Sequence, residues 1–252
     1  LFIEQIFGVM EQATQHTFQV LTKRHARMRS FVQARERRKQ EYAAKFDDCP
    51  AEAMRNSPAA EWARQRAVTP PANIWLGVSA EDQHWAETRV HALLSTPAAV
   101  RWVSAEPLLG PIDLRNLKAR NGALIDALCG DVKTSGGEIY AACPGSVSWV
   151  VAGGESGAGA RPMCPDWARS LRDQCQSARI PYLFKQWGAW APTGYVGAGG
   201  TDPREIFVRD STVTCHDWEG AQLRRVGKTA AGRVLDGRTW DEFPPVAARA
   251  VA

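Results

Sequence analysis

The sequence predicts an α/β fold with parallel strands, and three observations carry that prediction. Five short apolar runs, Thr17–Arg24 (TFQVLTKR), Ile74–Asp82 (IWLGVSAED), Val100–Pro107 (VRWVSAEP), Trp149–Gly157 (WVVAGGESG) and Tyr182–Gly188 (YLFKQWG), are continuous rather than alternating. That is the pattern of strands buried on both faces. Helical patterns separate the runs, as crossover connections between parallel strands require. Each run also stops in a polar cluster at its exit end, and in parallel sheets and barrels the carboxyl ends of the strands carry the chemistry.

The elements follow in order. Leu1–Met10 is amphipathic, with Phe2, Ile3, Ile6, Phe7 and Met10 on one helical face that is expected to pack against the body of the fold. Since the chain opens at Leu1 in mid-pattern, it reads as starting inside a domain. The strand Thr17–Thr22 leads into a helix over Arg24–Phe46, dense in arginine. Asp47–Ala72 is punctuated by prolines and reads as a connection around a short helical piece. After the strand Ile74–Ser79, helix Gln83–Leu94 places Ala86, Val90, Leu93 and Leu94 on one stripe and is stopped before Pro97. The strand Val100–Ser104 follows. An insertion at about 112–147 reads as a β-hairpin formed by Ala123–Cys129 and Glu138–Ala142 around Ser135-Gly136-Gly137. Strand Trp149–Ala152 precedes helix Pro165–Ala178, whose proline suits a first turn and whose inner face is Trp167, Leu171 and Cys175. After strand Tyr182–Phe184 the chain turns irregular and Gly-rich, with Asp236-Gly237 as a tight turn.

Five strands do not close a barrel, which takes about eight. An exposed apolar edge at Thr17–Thr22 is a liability that proteins avoid. The expected architecture is therefore a partial TIM-type (β/α) barrel with its N-terminal strands missing. Residues 1–192 form that domain, interrupted by the insertion, and residues 193–252 form an irregular extension with a short hairpin.

The 252 residues, 44% of them hydrophobic, suffice for one large core. A net charge of +4 is too small by itself to name nucleic acid as partner. No apolar stretch reaches the ~20 residues of a membrane span and no signal-peptide pattern opens the chain, so a cytoplasmic protein without membrane contact is expected. The six cysteines are scattered without a C-x-x-C pair, which points away from disulfides and from a metal site.

Gly153-Gly154-Glu155-Ser156-Gly157 is the strongest local signal, because glycines after a buried strand let the backbone approach a ligand closely. The alternative is a tight turn. Glu81, Asp82, Glu106 and Glu155 bring carboxylates to three strand ends, suited to sharing a proton, binding a metal or holding ribose hydroxyls and an amino group. Their other role is pairing with Lys23, Arg24, Arg161 and Lys185. Lys185 is open between a Schiff-base amine and an anion-binding or charge-neutralising lysine. Trp187, beside Gln186, is open between stacking on a flat ligand and plugging the mouth of the barrel. The arginines of Arg24–Lys39 suit phosphate binding or a solvated helix face.

The segments LTKR, GVSAEDQ, TPAAVRWVSAEPLLGPIDL, WVVAGGESGAGARPM, PDWARSLRDQC, FKQWGAWAP and AGRVLDGRTWDEFP resemble the phage-associated gp thirty-seven/gp sixty-eight domain family. That family has no established reaction, is radical-SAM-like and carries an N-terminal three-cysteine motif. The resemblance runs from about Phe2 to Pro244. It implies an enzyme that cleaves S-adenosylmethionine reductively at a 4Fe-4S cluster. By analogy, Ser79, Glu81, Glu106, Gly153, Gly154 and Glu155 hold the cofactor, and Lys23, Arg24, Arg161, Lys185, Gln186 and Trp187 face the substrate. The cluster needs three thiolates from one short loop, and this sequence has none so arranged. The chain is thus expected to be an N-terminally truncated piece that binds no cluster or productive cofactor by itself, its partners being the missing N-terminal segment and an unknown substrate, nucleic acid among the candidates. Two alternatives stand beside this: a Schiff-base or phosphate-handling barrel enzyme using Lys185, and a non-catalytic nucleic-acid-binding module using Arg24–Lys39.

Overall fold

All five apolar runs form strands of one parallel sheet in the computed structural model, which describes residues 2–68, 70–141, 143–195, 206–209, 212–215 and 221–245. The chain begins α1 (Phe2–Gln12), β1 (Phe18–Thr22), α2 (His25–Asp47), α3 (Glu52–Arg55), α4 (Pro58–Val68), β2 (Ile74–Ser79), α5 (Gln83–Leu94) and β3 (Val100–Ala105). The insertion follows as β4 (Leu117–Lys118), β5 (Leu124–Asp126), β6 (Asp131–Lys133) and β7 (Ile139–Ala141). Then come β8 (Trp149–Gly153), α6 (Pro165–Ala178) and β9 (Tyr182–Gln186). The last elements are β10 (Trp190–Tyr195), β11 (Ile206–Arg209), β12 (Thr212–Cys215), β13 (Ala221–Arg225) and α7 (Lys228–Ala231).

The main sheet has the order β1-β2-β3-β8-β9, so sequence neighbours are sheet neighbours and every pair is parallel. Winding in one direction with right-handed crossovers puts the helices on one face. On that face Leu76, Val78, Val103, Val150, Ala152, Tyr182 and Phe184 pack with Val90, Leu93 and Leu94 of α5 and Trp167, Leu171 and Cys175 of α6. Alternate residues point to the other face, where Trp75, Val100, Trp102, Trp149 and Val151 form a second buried cluster. Gly77 makes room there: a Cβ at that position would overlap the Trp102 ring. The far edge of β9 is covered, because Phe184 N donates to Trp240 O at 2.9 Å and Glu242 N donates to Tyr182 O at 3.2 Å. Among the described residues no helix is long and apolar enough to cross a membrane.

Three expectations need correction. The insertion is a four-stranded antiparallel meander, β4-β5-β6-β7, and the turn around Gly136 joins β6 to β7 rather than closing a single hairpin with Ala123–Cys129. The C-terminal region is less irregular than its glycines suggest: β10, β13, β12 and β11 form an antiparallel sheet. The Asp236-Gly237 turn is present, with both residues at positive φ between bridged Leu235 and Arg238. Residues 196–205, 210–211, 216–220 and 246–252 lie outside the described ones.

The third correction concerns α1. Met10 is buried and Phe7 packs edge-on against Phe31 at 5.0 Å, but Phe2, Ile3 and Ile6 are exposed. The inward stripe is instead Glu4-Phe7-Glu11, because the arginines of α2 demand partners. Arg35 pairs with both Glu4 and Glu11, Arg38 with Glu4, Lys39 with Glu11, and Arg66 of α4 with Glu11. Buried charges must be paired, and that requirement outranks the hydrophobic stripe.

Candidate active site

The chemistry-bearing residues occupy the carboxyl ends of β1, β2, β3, β8 and β9, which the shared register brings level. Ser79 stands opposite Ser104, and Ala105 opposite Ala152, so Glu106 follows beside Gly153. The contact is close: a Cβ at Gly153 would lie 2.8 Å from Glu106 Oε1. Ser104 Oγ donates to Glu106 Oε2 at 3.2 Å.

Lys185 reaches the same carboxylate through a β-bulge. Ala152 pairs with Phe184 but Gly153 pairs with Gln186, which leaves Lys185 as the extra residue. Such a bulge re-aims a side chain. Lys185 Nζ lies 3.3 Å from Glu106 Oε1, with its side chain more than half exposed.

A second cluster sits at the end of β2. The buried Glu81 accepts from Arg89 Nη1 at 2.8 Å and lies 2.5 Å from Lys23 Nζ at the end of β1. Arg89 also donates to Ser79 O at 2.9 Å and stacks over Trp85 at 4.0 Å. Burial alone would push the Glu81 carboxyl up, but the Lys23 ammonium and the Arg89 charge outweigh it and hold the group below the usual carboxylate range.

The third carboxylate is committed to its own loop. Both oxygens of Glu155 accept from the Arg161 guanidinium, at 2.8 and 2.9 Å, and the Arg161 N–H adds a third bond. The Arg161 side-chain bonds and then its backbone bond bring the Glu155 pKa down to about 2. Arg161 in turn senses the charge of Glu81, so these two groups share one neighbourhood.

The glycines of this segment answer to chain packing. A Cβ on Gly154 would overlap the Trp187 carbonyl oxygen and lie 2.7 Å from its carbon. One on Gly188 would lie 2.6 Å from the Gly154 carbonyl carbon, with φ at +83° besides. The two strand ends thus cross in van der Waals contact, joined by Gly154 N to Gln186 O at 2.9 Å and Ala189 N to Glu155 O at 2.7 Å. Trp187 takes the packing role: it is buried against Phe184, and its Nε1 donates to Val234 O at 2.8 Å. Gln186 Nε2 lies 3.4 Å from Gly154 O and from Ser156 Oγ. Arg24 is exposed, and its backbone N–H donates to Thr22 Oγ1.

The structure therefore gathers Lys23 with Glu81, and Glu106 with Gly153 and Lys185, as two clusters on neighbouring strand ends, with Ser79 beside Ser104 between them. Two partners emerge that sequence reading passed over. Ser104 was legible only as part of a strand. Arg89 carries a clear signal in retrospect, since it is a charged residue on the inner stripe of α5 among Ala86, Val90 and Leu93. Such a position demands a buried acid. No group of three potential metal-ligating side chains gathers among the described residues.

The family model described as "Protein of unknown function (DUF5131)" matches residues 1–244. The chain belongs to this family. No curated protein and no solved structure matches it. The strand-end groups are the chemistry that the fold displays: three carboxylates, Glu81, Glu106 and Glu155, each held by at least one cation.

Proposed function

We propose that this chain forms the cofactor- and substrate-binding half of an enzyme resembling radical S-adenosylmethionine enzymes, built on part of a TIM-type barrel. The observation that carries the reading is the pair of anchored carboxylates at neighbouring strand ends, Ser104–Glu106–Lys185 and Arg89–Glu81–Lys23. A parallel sheet wound in chain order is compatible with a barrel segment, and its carboxyl ends are where barrel enzymes work.

The donor set fits the polar parts of S-adenosylmethionine. Glu106 and Glu81 accept from an amino group or ribose hydroxyls, Ser79 and Ser104 add hydroxyl partners, and Lys23, Lys185 and Arg161 attract a carboxylate. When bound with its metal cluster, that cofactor supplies a radical. The cluster itself does not fit the residues described. Cys164 and Cys175 are buried on α6 and at its start, while Cys49, Cys129 and Cys143 lie on separate segments. No step through a cluster is derived from this chain.

The Schiff-base alternative has less support. A lysine of that kind is activated by desolvation or by a neighbouring cation, whereas Lys185 is exposed and paired with a carboxylate. Isothermal titration of the chain with S-adenosylmethionine tests the proposal. Because the strand-end groups meet the cofactor's polar parts without needing the cluster, binding that is unproductive in the cluster's absence is expected, and Glu106→Gln weakens it at least tenfold. No heat, with no rise in melting temperature at millimolar ligand, refutes it.

A further inference from the structure

We propose that the groove between α2, α5 and the insertion is a track for a nucleic-acid strand, a binding site separate from the strand-end pocket. The groove encloses about 580 Å³ and is lined by His25 and Arg29 of α2, His84 and His91 of α5, and Lys118 and Arg120 of the insertion. Its one carboxylate, Glu87, is already engaged by Gln83 Nε2 and the Lys118 N–H. Among the described residues, no acid pairs with Arg29, Lys118 or Arg120. This differs from the cluster between α1, α2 and α4, where Arg35, Arg38, Lys39 and Arg66 are all consumed by Glu4 and Glu11. A fold that neutralises one set of arginines and leaves another open along a groove offers the open set to an anion.

Spacing and composition favour a strand over a lone phosphate. The cations come from three elements rather than converging on one point. His84 and His91 mark a length of about 10 Å along α5 at a rise of 1.5 Å per residue. A strand laid along this length meets the three Lys and Arg side chains of the groove, Arg29, Lys118 and Arg120, one after another, so three phosphates at most are neutralised. At its upper end the exposed His84 ring packs against Trp85 at 4.9 Å, an aromatic surface on which a base stacks. Burial, opposed by Glu87, holds His91 below the ordinary imidazole range. The track begins two residues after Asp82 and so leads toward the strand-end site.

The test is fluorescence anisotropy of the full chain with a labelled twelve-nucleotide oligothymidylate across a salt series. Three neutralised phosphates predict a slope of log K on log salt of about −2, or roughly a 20-fold loss between 50 and 200 mM. The double variant Arg29→Ala/Arg120→Ala reduces the slope to about −0.7 and that loss to roughly threefold. Arg37→Ala, on the exposed side of α2 outside the groove, leaves both unchanged. An unaltered melting temperature in each variant separates lost contacts from lost folding. Absence of binding at 50 mM salt overturns the proposal, as does a double variant with the wild-type slope. Displacement of the oligonucleotide by inorganic tripolyphosphate at equal phosphate concentration overturns the strand in favour of a small-phosphate site. The assay contains no S-adenosylmethionine, so its outcome is independent of the preceding proposal.

Discussion

Replacing Gly154 by alanine tests how the site is held together. The added methyl would overlap the Trp187 carbonyl oxygen and stand 2.7 Å from the carbonyl carbon and 3.4 Å from Gly188 N. None of these is the end of a flexible side chain, so the ends of β8 and β9 must part by about 1.5 Å to regain ordinary contact. Forcing a methyl into a packed interior costs about 1–3 kcal/mol. The separation also stretches the Gly154–Gln186 and Ala189–Glu155 hydrogen bonds, each worth about 1 kcal/mol. A loss of about 3 kcal/mol lowers the melting temperature of a domain this size by roughly 6–12 °C. Thermal and urea unfolding of Gly154→Ala read this directly. Gly159→Ala is the control, with open space around its Cβ, and is expected to match or slightly exceed the wild type. A Gly154→Ala protein that melts within 1 °C of wild type would refute the reasoning and return this glycine to a role in admitting ligand.

Other consequences follow from the same contacts. Glu81→Gln leaves the buried Arg89 facing an amide, so unfolding experiments should show a loss of about 3–5 kcal/mol, against less than about 1 for the surface pair Arg64–Asp47 when Asp47 is changed. Glu155 has a folded pKa of about 2 against an ordinary 4.5, so its contribution is present above pH 4.5 and is lost as pH falls toward 2. With solvent screening it amounts to about 1 kcal/mol, and Glu155→Gln should flatten the acid arm of the stability profile by that amount. Burial, with Glu242 adding to it, pushes the Cys175 thiol up to about 12. Iodoacetamide at pH 8 should therefore modify the exposed Cys129 before Cys175, which it reaches only on unfolding, as mass spectrometry of timed samples would record.

What the sequence made legible was the part governed by local pattern. Continuous apolar runs marked all five sheet strands, and the stripes Ala86-Val90-Leu93 and Trp167-Leu171-Cys175 identified the inner faces of two helices. Features set by tertiary contact were not readable. The exposure of Phe2 and Ile6 follows from where the arginines of α2 find acids, which no window of eleven residues contains. The aim of Lys185 depends on a bulge, and hence on how Gly153 registers with the next strand. The β11 and β12 segments, IFVR and TVTC, are short but rich in β-branched and aromatic residues. Their strand character was masked by surrounding glycines, although that composition is a strand signal. Gly154 reads from sequence as a place where a ligand approaches, whereas in the fold the backbone of Trp187 and Gly188 lies against it.

Hydrogen–deuterium exchange of the chain with and without S-adenosylmethionine tests most directly whether separate strand ends form one binding site. The account predicts added protection in peptides covering residues 79–82, 104–107, 153–156 and 185–188 together, with the insertion meander unchanged. Protection confined to one of these peptides, or none at saturating ligand, would contradict it.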